Sequence, residues 1–426
     1  MIEPNQAKAK KRQLLFMVVS GLGIAFFIIQ SLSLGVYWLM TYLNPQDGAM
    51  QSISLGLLVW SSIFSALLLT PVFLQSLFHF RDKSIPGWLD TSQPIFRKTA
   101  IWAIVIWPVV VFLGWLVADS PTLAPFLLGL INLFVAGIPV LWIYTAAQWK
   151  LDGGPQGRQW RIFGFSATIL PVLVIIVELV AIAILAGLVI VWFSFQSTAD
   201  PSLQQELMRI ASQVRESGQD MEQIIQLLKP YLLQPTVIVL ALGLIGGVVP
   251  VIEEILKPLA LWSLAGRKIT PQEGFVGGLL CGAGFALMEN VLYFTGAIIP
   301  GDWLFTAVGR AGTGVLHMLA SGLVGLGLAK AWRDGKWFFQ GMTLLGAILL
   351  HGLWNIFSVV SGVVPLLLFG PEMTILQTVL VTAPTVILLI LSVLGIYVIN
   401  RRLRKQDESR TEQPVDTSEV ENQNEL

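Results

Sequence analysis

The chain has 426 residues, of which 55% are hydrophobic and only 12% are charged, and its mean hydropathy is +0.74. A soluble domain has about 25% charged residues, so this composition excludes a water-soluble fold of this size and indicates an integral membrane protein. The 26 basic and 26 acidic side chains balance, which excludes the usual basic nucleic-acid-binding protein. The single cysteine, Cys281, excludes an internal disulfide framework and a cysteine-based metal cluster.

Long apolar runs occupy most of the chain. A transmembrane helix needs about 20 predominantly apolar residues, and continuous rather than alternating runs favour helices over a β-barrel. The sequence therefore predicts an all-α, polytopic transmembrane bundle. The ten predicted spans are 14–40, 51–78, 99–117, 123–147, 166–194, 236–262, 274–296, 304–329, 338–362 and 374–399.

The distribution of lysine and arginine predicts the orientation of these spans. If the N-terminus is inside, most basic residues fall in the N-terminal tail, in every second loop and after the last span. Because lysine and arginine favour the cytoplasmic side, we predict that both termini are cytoplasmic.

The chain divides into six predicted segments. They are a basic cytoplasmic N-terminus (1–13), five accessory helices (14–194), an external amphipathic loop (195–235), a four-helix core (236–362), a final helix (363–400) and a disordered cytoplasmic tail (401–426). In the external loop Leu203, Leu207, Ile210 and Val214 recur at helical spacing. Such helices lie flat on the outer surface of the bilayer or form a lid on other loops, and both alternatives stay open.

Ionisable side chains inside the membrane divide the chain into two halves. Each such residue costs several kcal/mol, roughly, and is a functional candidate by default. The first five helices contain almost none. Glu178 is the exception, and we expect it to be protonated or bonded to a neighbouring helix. The sixth to ninth helices each carry several ionisable or polar residues, which predicts that the chemistry lies there.

Four consecutive spans carry these candidates. The sixth contains Glu253, Glu254 and Lys257. The seventh contains Glu289 and Asn290, reached along a stripe of small residues that permits close approach of another helix: Gly274, Gly278 and Gly282. The eighth carries Arg310, His317 and Ser321 on one face, and the ninth carries His351 and Asn355 four residues apart. Consecutive antiparallel helices are normally neighbours, so convergence on one buried site is expected.

This set of side chains fits metal-assisted hydrolysis. Catalytic zinc takes three nitrogen or oxygen ligands and keeps one position for water. The predicted metal ligands are Glu289, His317 and His351. A remaining carboxylate, Glu253 or Glu254, is the candidate general base, and Asn355 is the candidate oxyanion donor.

Structural alternatives account for the same residues. The two glutamates with Lys257 and Arg310 can form a buried ion-pair network that holds helices in register. His317 can be a hydrogen-bonded core histidine, and His351 with Asn355 can be an interhelical polar clamp. A proton- or cation-coupled transporter also uses buried carboxylates and histidines. A non-enzymatic scaffold that binds partners through its outer loop or acidic tail is a further alternative.

These motifs resemble those of the PrsW family of intramembrane proteases and, more distantly, the CAAX prenyl protease and bacteriocin-processing group. The matching motifs are Glu-Glu-x-x-Lys (Glu253, Glu254, Lys257), Phe-x-x-x-Glu-Asn (Phe285, Glu289, Asn290), an Arg-to-His segment with a following small-residue run (Arg310, His317, Ser321-Gly322) and His-x-x-x-Asn (His351, Asn355). The resemblance covers about 236–362. The CAAX-type group has histidine at the position of Glu289 and places an arginine one position later than Lys257, which favours the PrsW branch.

The resemblance implies peptide hydrolysis within the membrane, on membrane-anchored protein substrates such as an anti-sigma factor cleaved at a first site. It implies a bacterial inner-membrane location and a mechanism with zinc or with a glutamate-activated water alone. We predict that Glu253 is the base and that Glu254 supports it or joins the metal shell. Lys257 and Arg310 tune the charge, with Phe285 and Asn290 as further supporting residues. The sequence does not predict the oligomeric state.

Overall fold

The computed structural model describes residues 4–44, 49–84, 86, 94–199, 201–217, 221–364 and 373–411. Every regular element among these residues is helical. The first seven helices are α1 (Pro4–Leu43), α2 (Ala49–Phe80), α3 (Pro94–Ala118), α4 (Ala124–Ala147), α5 (Gln156–Ala199), α6 (Pro201–Glu216) and α7 (Met221–Leu232). After these come α8 (Pro235–Gly243), a π-helical turn (Leu244–Val248), α9 (Val249–Leu256), α10 (Leu259–Trp262), α11 (Pro271–Phe294), α12 (Pro300–Asp334), α13 (Trp337–Val364) and α14 (Ile375–Thr411).

Ten helical segments of the described chain are long and apolar enough to cross a membrane, which confirms the predicted all-α polytopic bundle. The sixth of these segments, Pro235–Trp262, combines α8, the π-helical turn, α9 and α10. The cytoplasmic placement of both termini and the division into six segments stay predictions.

Local signals explain where the two central helices begin and end. The Thr270 hydroxyl accepts from the backbone N–H of Glu273, and the Glu273 carboxylate accepts from the backbone N–H of Thr270, so the start of α11 is a capping box. Pro271 and Pro300 stand at the first position of α11 and α12, where no backbone donor is needed. Gly335 ends α12 with a φ of +69°, a conformation that glycine adopts without strain.

Helices α11 and α12 form the buried centre of the bundle, and most residues of both are enclosed by protein. The small-residue stripe of α11 packs against α12: a Cβ atom at Gly278 would overlap the Ser321 carbonyl, and one at Gly282 would overlap the His317 carbonyl. The predicted close approach of another helix to this stripe is therefore confirmed. The contact fixes the backbone of α12 at His317 directly against α11.

The sixth span is not the continuous helix that the sequence predicts. It contains a π-helical turn before α9, and α9 ends at Leu256 shortly before Pro258. Proline lacks an N–H donor and its ring collides with the preceding turn, which explains the second break. Beside the π-helical turn, a Cβ atom at Gly352 would overlap the Gly246 carbonyl, so α13 crosses the broken span in close contact one residue after His351.

The outer loop and the C-terminal segment differ from the prediction in their extent. Helix α5 continues to Ala199, and α6 and α7 occupy most of the predicted loop, as its helical spacing indicates. Arg209 of α6 binds Glu206 through both carboxylate oxygens, and Tyr231 of α7 donates to the same carboxylate. Helix α14 continues to Thr411 without a break. Residues 401–411 of the predicted disordered tail are therefore helical. Residues 412–426 lie outside the described residues.

Candidate active site

Four buried side chains from three helices meet in the centre of the bundle. They are Glu253 and Glu254 of α9, His317 of α12 and His351 of α13, and one ligand atom of each lies within 4.8 Å of those of the others. Each of the four residues is at most 5% exposed. The structure thus brings together the glutamate pair of the sixth span and the two histidines of the eighth and ninth spans.

The ammonium group of Lys257 lies among the same side chains. Its Nζ atom is 2.9 Å from Glu253 Oε2, 2.7 Å from Glu254 Oε1 and 2.7 Å from His317 Nδ1. Lys257 is fully buried, and the ring of Phe285 lies beneath its ammonium group at 4.6 Å. A buried cation requires such acceptors, and the two carboxylates supply the opposite charge.

The hydrogen bonds of His351 leave one ring nitrogen directed at the site. Its Nδ1 atom is 2.9 Å from Glu254 Oε1, and its Nε2 atom is 3.9 Å from Glu253 Oε2. Beside an ionised Glu254, Nδ1 carries the proton and donates it to the carboxylate. The lone pair of Nε2 then faces Glu253.

His317 has the opposite arrangement of its two nitrogens. Its Nδ1 atom accepts from Lys257, so its Nε2 atom carries the proton and donates to Glu289 Oε2 at 2.8 Å. Glu289 also binds the Arg310 guanidinium at 2.6 Å. The predicted metal ligand Glu289 therefore lies behind His317 and outside the group of four, because its carboxylate already serves His317 and Arg310. A carboxylate in this position orients the imidazole of a ligand.

The other predicted supporting residues contact His317, Glu289 or one another. Arg310 donates from Nε to Asn290 Oδ1 at 2.8 Å, and its guanidinium lies 4.2 Å from the centre of the Tyr293 ring. The Phe285 ring meets His317 edge-on at 5.3 Å. These contacts fix the side chain of His317 from two sides.

Asn355 lies at the π-helical turn rather than among the four clustered side chains. Its Nδ2 atom donates to the backbone carbonyl of Ile245 at 3.1 Å. In an α-helix that carbonyl would be bonded within its own helix, and a π-helical turn rearranges this pattern. The contact corresponds to the interhelical clamp that the sequence left open, and the second N–H of the Asn355 amide stays available for a ligand.

The clustered residues fit a divalent metal ion. Imidazole nitrogens and carboxylate oxygens are the donors that zinc accepts. The Oε2 atom of Glu254 is buried and has no hydrogen-bond partner within the described part of the chain, so it is an acceptor that awaits a cation or a donor. The Lys257 ammonium is bound to three of the same four residues, so a metal ion and this ammonium share acceptors.

Glu178 of α5 lies on the face of that helix that packs against α11. Helices α5 and α11 run parallel, since Gly277 lies beside Ile162 and Gly284 lies beside Ala167. Val174 and Phe285 pack in one buried cluster, and Glu178 and Glu289 each follow one turn later. Within the described part of the chain, the Glu178 Oε1 atom is enclosed without a hydrogen-bond partner, and the charges of Glu253, Glu289 and Lys257 act on this carboxyl group.

Sequence reasoning missed three features of this site. They are the Lys257–His317 contact, the hydrogen bond from Asn355 to the carbonyl of the π-helical turn, and the alignment of Glu178 with Glu289. Each of these contacts joins elements that are distant along the chain. The only sequence signal for Glu178 was its status as a lone carboxyl in an apolar span. Helical periodicity does not report which helices are neighbours when their order in the bundle differs from that in the chain.

Residues 228–389 match the family model described as PrsW family intramembrane metalloprotease. The predicted PrsW resemblance is confirmed over this region. The PrsW match contains all four clustered side chains and covers less than half of the chain, so α1–α6 lie outside it. Comparison with curated proteins and with solved structures returned no match.

The PrsW match and the ten apolar helices together describe a multi-pass membrane protein with a protease domain. The family description supports a hydrolase that cleaves peptide bonds, acts within the membrane and uses a metal. Such an enzyme acts on membrane proteins in the lipid bilayer. The buried group of Glu253, Glu254, His317 and His351 is where the described structure can hold that metal.

Proposed function

We propose that this protein is an intramembrane endopeptidase that hydrolyses peptide bonds of membrane-anchored proteins, with anti-sigma factors as the substrate class to test first. One observation carries the proposal: two carboxylates and two imidazoles lie within 4.8 Å of one another in the buried centre of a membrane bundle. A transporter also uses buried carboxylates and histidines, so the match to a protease family over the same residues favours hydrolysis.

We assign the metal-binding role to Glu254, His317 and His351, with zinc as the metal. The donor types and the partnerless Glu254 Oε2 atom support this assignment. Bound zinc supplies a Lewis acid that lowers the pKa of a water molecule to about 7. Lys257 balances the charge of both glutamates and must share its acceptors with the ion.

Glu253 is the proposed general base. Of the two adjacent carboxylates Glu254 is fully enclosed, whereas Glu253 keeps a side-chain exposure of 7% and lies opposite His351 Nε2. Glu253 removes a proton from the attacking water and delivers it to the leaving amine nitrogen. The same role holds if a glutamate-activated water acts alone.

The remaining residues position this machinery. Glu289 and Arg310 hold the imidazole of His317 in the tautomer whose Nδ1 lone pair faces the site. Asn355 donates one N–H to Ile245 and directs the other toward the oxyanion that forms at the scissile carbonyl. The proposed site thus uses residues from each of the four sequence motifs.

We propose a bacterial inner-membrane location with both termini cytoplasmic and with 236–362 as the catalytic core. The distribution of basic residues supports this orientation.

The decisive experiment compares Glu253→Gln with wild type in proteoliposomes that contain single-pass membrane proteins, anti-sigma factors among them. Fragments are identified by mass spectrometry. Loss of the base should reduce cleavage by about 100-fold or more. Glu206→Gln is the matched control, because the same change occurs in α6 within an ion pair outside the PrsW match.

Wild-type fragments that persist in Glu206→Gln and vanish in Glu253→Gln support the endopeptidase. Equal cleavage by all three proteins removes Glu253 as the base. Cation-coupled uptake that depends on Glu253 without any cleavage contradicts the protease and indicates the transporter. A phenotype that needs 195–235 but none of the clustered side chains indicates the scaffold.

A further inference from the structure

A second polar cluster lies at the end of the bundle where α5 begins and α2 ends. The guanidinium group of Arg161 in α5 stacks on the Phe16 ring of α1 at 5.0 Å. Arg12 precedes Phe16 by one helical turn and therefore shares its face of α1. Arg158 lies one turn before Arg161 in α5, and Arg267 follows α10; the charges of all three arginines act on Arg161. The Arg161 guanidinium thus lies within the electrostatic reach of three other arginines.

The positive charge of this cluster is mostly unbalanced. Arg158 is paired with Glu273 at 2.5 Å. Across the described ranges, no carboxylate lies within ion-pair distance of Arg12, Arg161 or Arg267. Like charges repel one another, and placing several together near low-dielectric surroundings requires a counter-charge. Among the described residues, Glu273 is the one carboxylate that forms an ion pair with these arginines.

A buried amide points into the same space. Gln75 of α2 is 2% exposed, and neither atom of its side-chain amide has a hydrogen-bond partner within the described chain. A Cβ atom at Gly157 would lie 3.3 Å from Gln75 Oε1, 3.4 Å from Arg161 Nη1 and 3.8 Å from His79 Cε1. These three side chains therefore border one space that glycine leaves open. Gly157 also belongs to the first turn of α5, where backbone N–H groups favour an anion.

We propose that Gln75, Arg161 and the neighbouring arginines form a binding site for a phosphate group. Guanidinium forks bind phosphate oxygens in pairs, and the Gln75 amide adds a neutral donor. The phosphate belongs either to the headgroup of an anionic phospholipid or to a free phosphate. Basic pockets between helices at a membrane surface recognise lipid headgroups by this chemistry. The site goes beyond the proposed protease function and does not depend on it.

The test uses the full-length protein in detergent and measures its thermal unfolding midpoint and its bound lipids by native mass spectrometry. One arm adds phosphatidylglycerol, with phosphatidylcholine as the neutral lipid. The other adds inorganic phosphate, with sodium chloride at equal ionic strength. Two variants remove the site: Arg161→Gln removes its charge, and Gln75→Leu replaces the amide with an apolar side chain of similar size.

Arg402→Gln is the matched control. Arg402 is exposed on α14 at the same end of the bundle, where the neighbouring Asn400 binds the carbonyls of Ala147 and Trp149. The Arg402→Gln substitution removes the same charge as Arg161→Gln, but at a position outside the cluster.

We expect Arg161→Gln to weaken binding of the stabilising ligand by about tenfold or more and Gln75→Leu by several-fold, with Arg402→Gln unchanged. Stabilisation by phosphatidylglycerol alone identifies a lipid headgroup, and stabilisation by phosphate identifies the free anion. Either result supports the site. No selective stabilisation in either arm, or equal losses in Arg161→Gln and Arg402→Gln, overturns it. If Arg161→Gln does not fold, Gln75→Leu decides, since unaltered binding by that variant also overturns the site.

Discussion

The accessory helices α1–α5 and the central helices α9 and α11–α13 satisfy their polar side chains in different ways. In the accessory helices hydroxyl groups bond to the backbone one turn earlier in their own helix, as Ser20, Ser61 and Thr70 do. In the central helices charged and ring atoms bond across helices, as Lys257 does to His317. A hydroxyl satisfied within its own helix places no demand on the neighbours.

This difference indicates where substitution is tolerated. A buried network costs free energy when any member loses its partner, whereas a locally bonded hydroxyl can be replaced without leaving a partner unsatisfied. Several residues of the accessory half depart from the pattern. Tyr144 of α4 donates to Gln159 of α5, and Asn132 of α4 accepts from the indole N–H of Trp303 in α12 at 2.8 Å. The Glu178 Oε1 atom of α5 is enclosed with no hydrogen-bond partner among the described residues.

The largest expected effect concerns the metal. Alanine at His317 or His351 should remove nearly all zinc from the purified protein, and Glu254→Gln should remove most of it. The Glu289→Ala protein should still bind zinc, but with an affinity that is about 10- to 100-fold lower, because Glu289 orients His317 rather than binding the ion. Elemental analysis of detergent-purified protein measures this, with His79→Ala as control. If Glu289→Ala removes zinc as completely as His317→Ala, Glu289 is a ligand and the proposed set is wrong.

The next effect concerns helix packing and has opposite signs in the two halves. Gly278→Ala should destabilise by about 1–3 kcal/mol, because its Cβ atom meets the Ser321 backbone. Gly187→Ala in α5 should stabilise by about 0.5–1 kcal/mol, because nothing lies near that position and alanine is the better helix former. Thermal unfolding midpoints in detergent compare the two variants. A stabilised Gly278→Ala protein would contradict the close packing of α11 on α12.

A smaller effect tests the exceptional residue of the accessory half. Glu178→Gln should raise KM by about tenfold with kcat nearly unchanged, since the carboxylate is free to accept a hydrogen bond from substrate. Glu216→Gln, an exposed position in α6, is the control. Cleavage kinetics in proteoliposomes supply both constants. Identical KM values for the two variants would leave Glu178 as a packing residue.

The smallest effect concerns the pairing of α6 and α7. Hydrogen bonds from Arg209 and then Tyr231 lower the pKa of Glu206 to about 2, from an ordinary value of 4.5. The stabilisation that ionised Glu206 gives to the pairing of α6 and α7 is therefore fully present above about pH 4.5, and it is lost as the pH falls toward 2. Spin labels at Gln205 and Gln226 should report a longer or broader distance on acidification. Glu206→Gln should remove this pH dependence, and an equal response in both proteins would assign it to other groups.

Much of the bundle was predictable because it depends on local sequence. Span length, the small-residue stripe of Gly274, Gly278 and Gly282 and the placement of polar residues on four successive helices all follow from hydropathy and helical periodicity. The break at Pro258 was readable in principle, since proline disrupts a helix interior. The helical extension to Thr411 was not, because a polar helix leaving the membrane has no apolar face to detect.

The sequence by itself determined that this is a polytopic helical membrane protein and which buried side chains are the candidates for its chemistry, because lipid leaves few structures for an apolar chain and few reasons for buried charge. Only the tertiary structure decided how those side chains divide their roles. Glu254 joined the metal-capable group and Glu289 moved behind His317, since distances of a few ångströms across helices depend on packing that periodicity does not encode. The same packing aligned Glu178 with Glu289 and placed Arg161 beside Gln75.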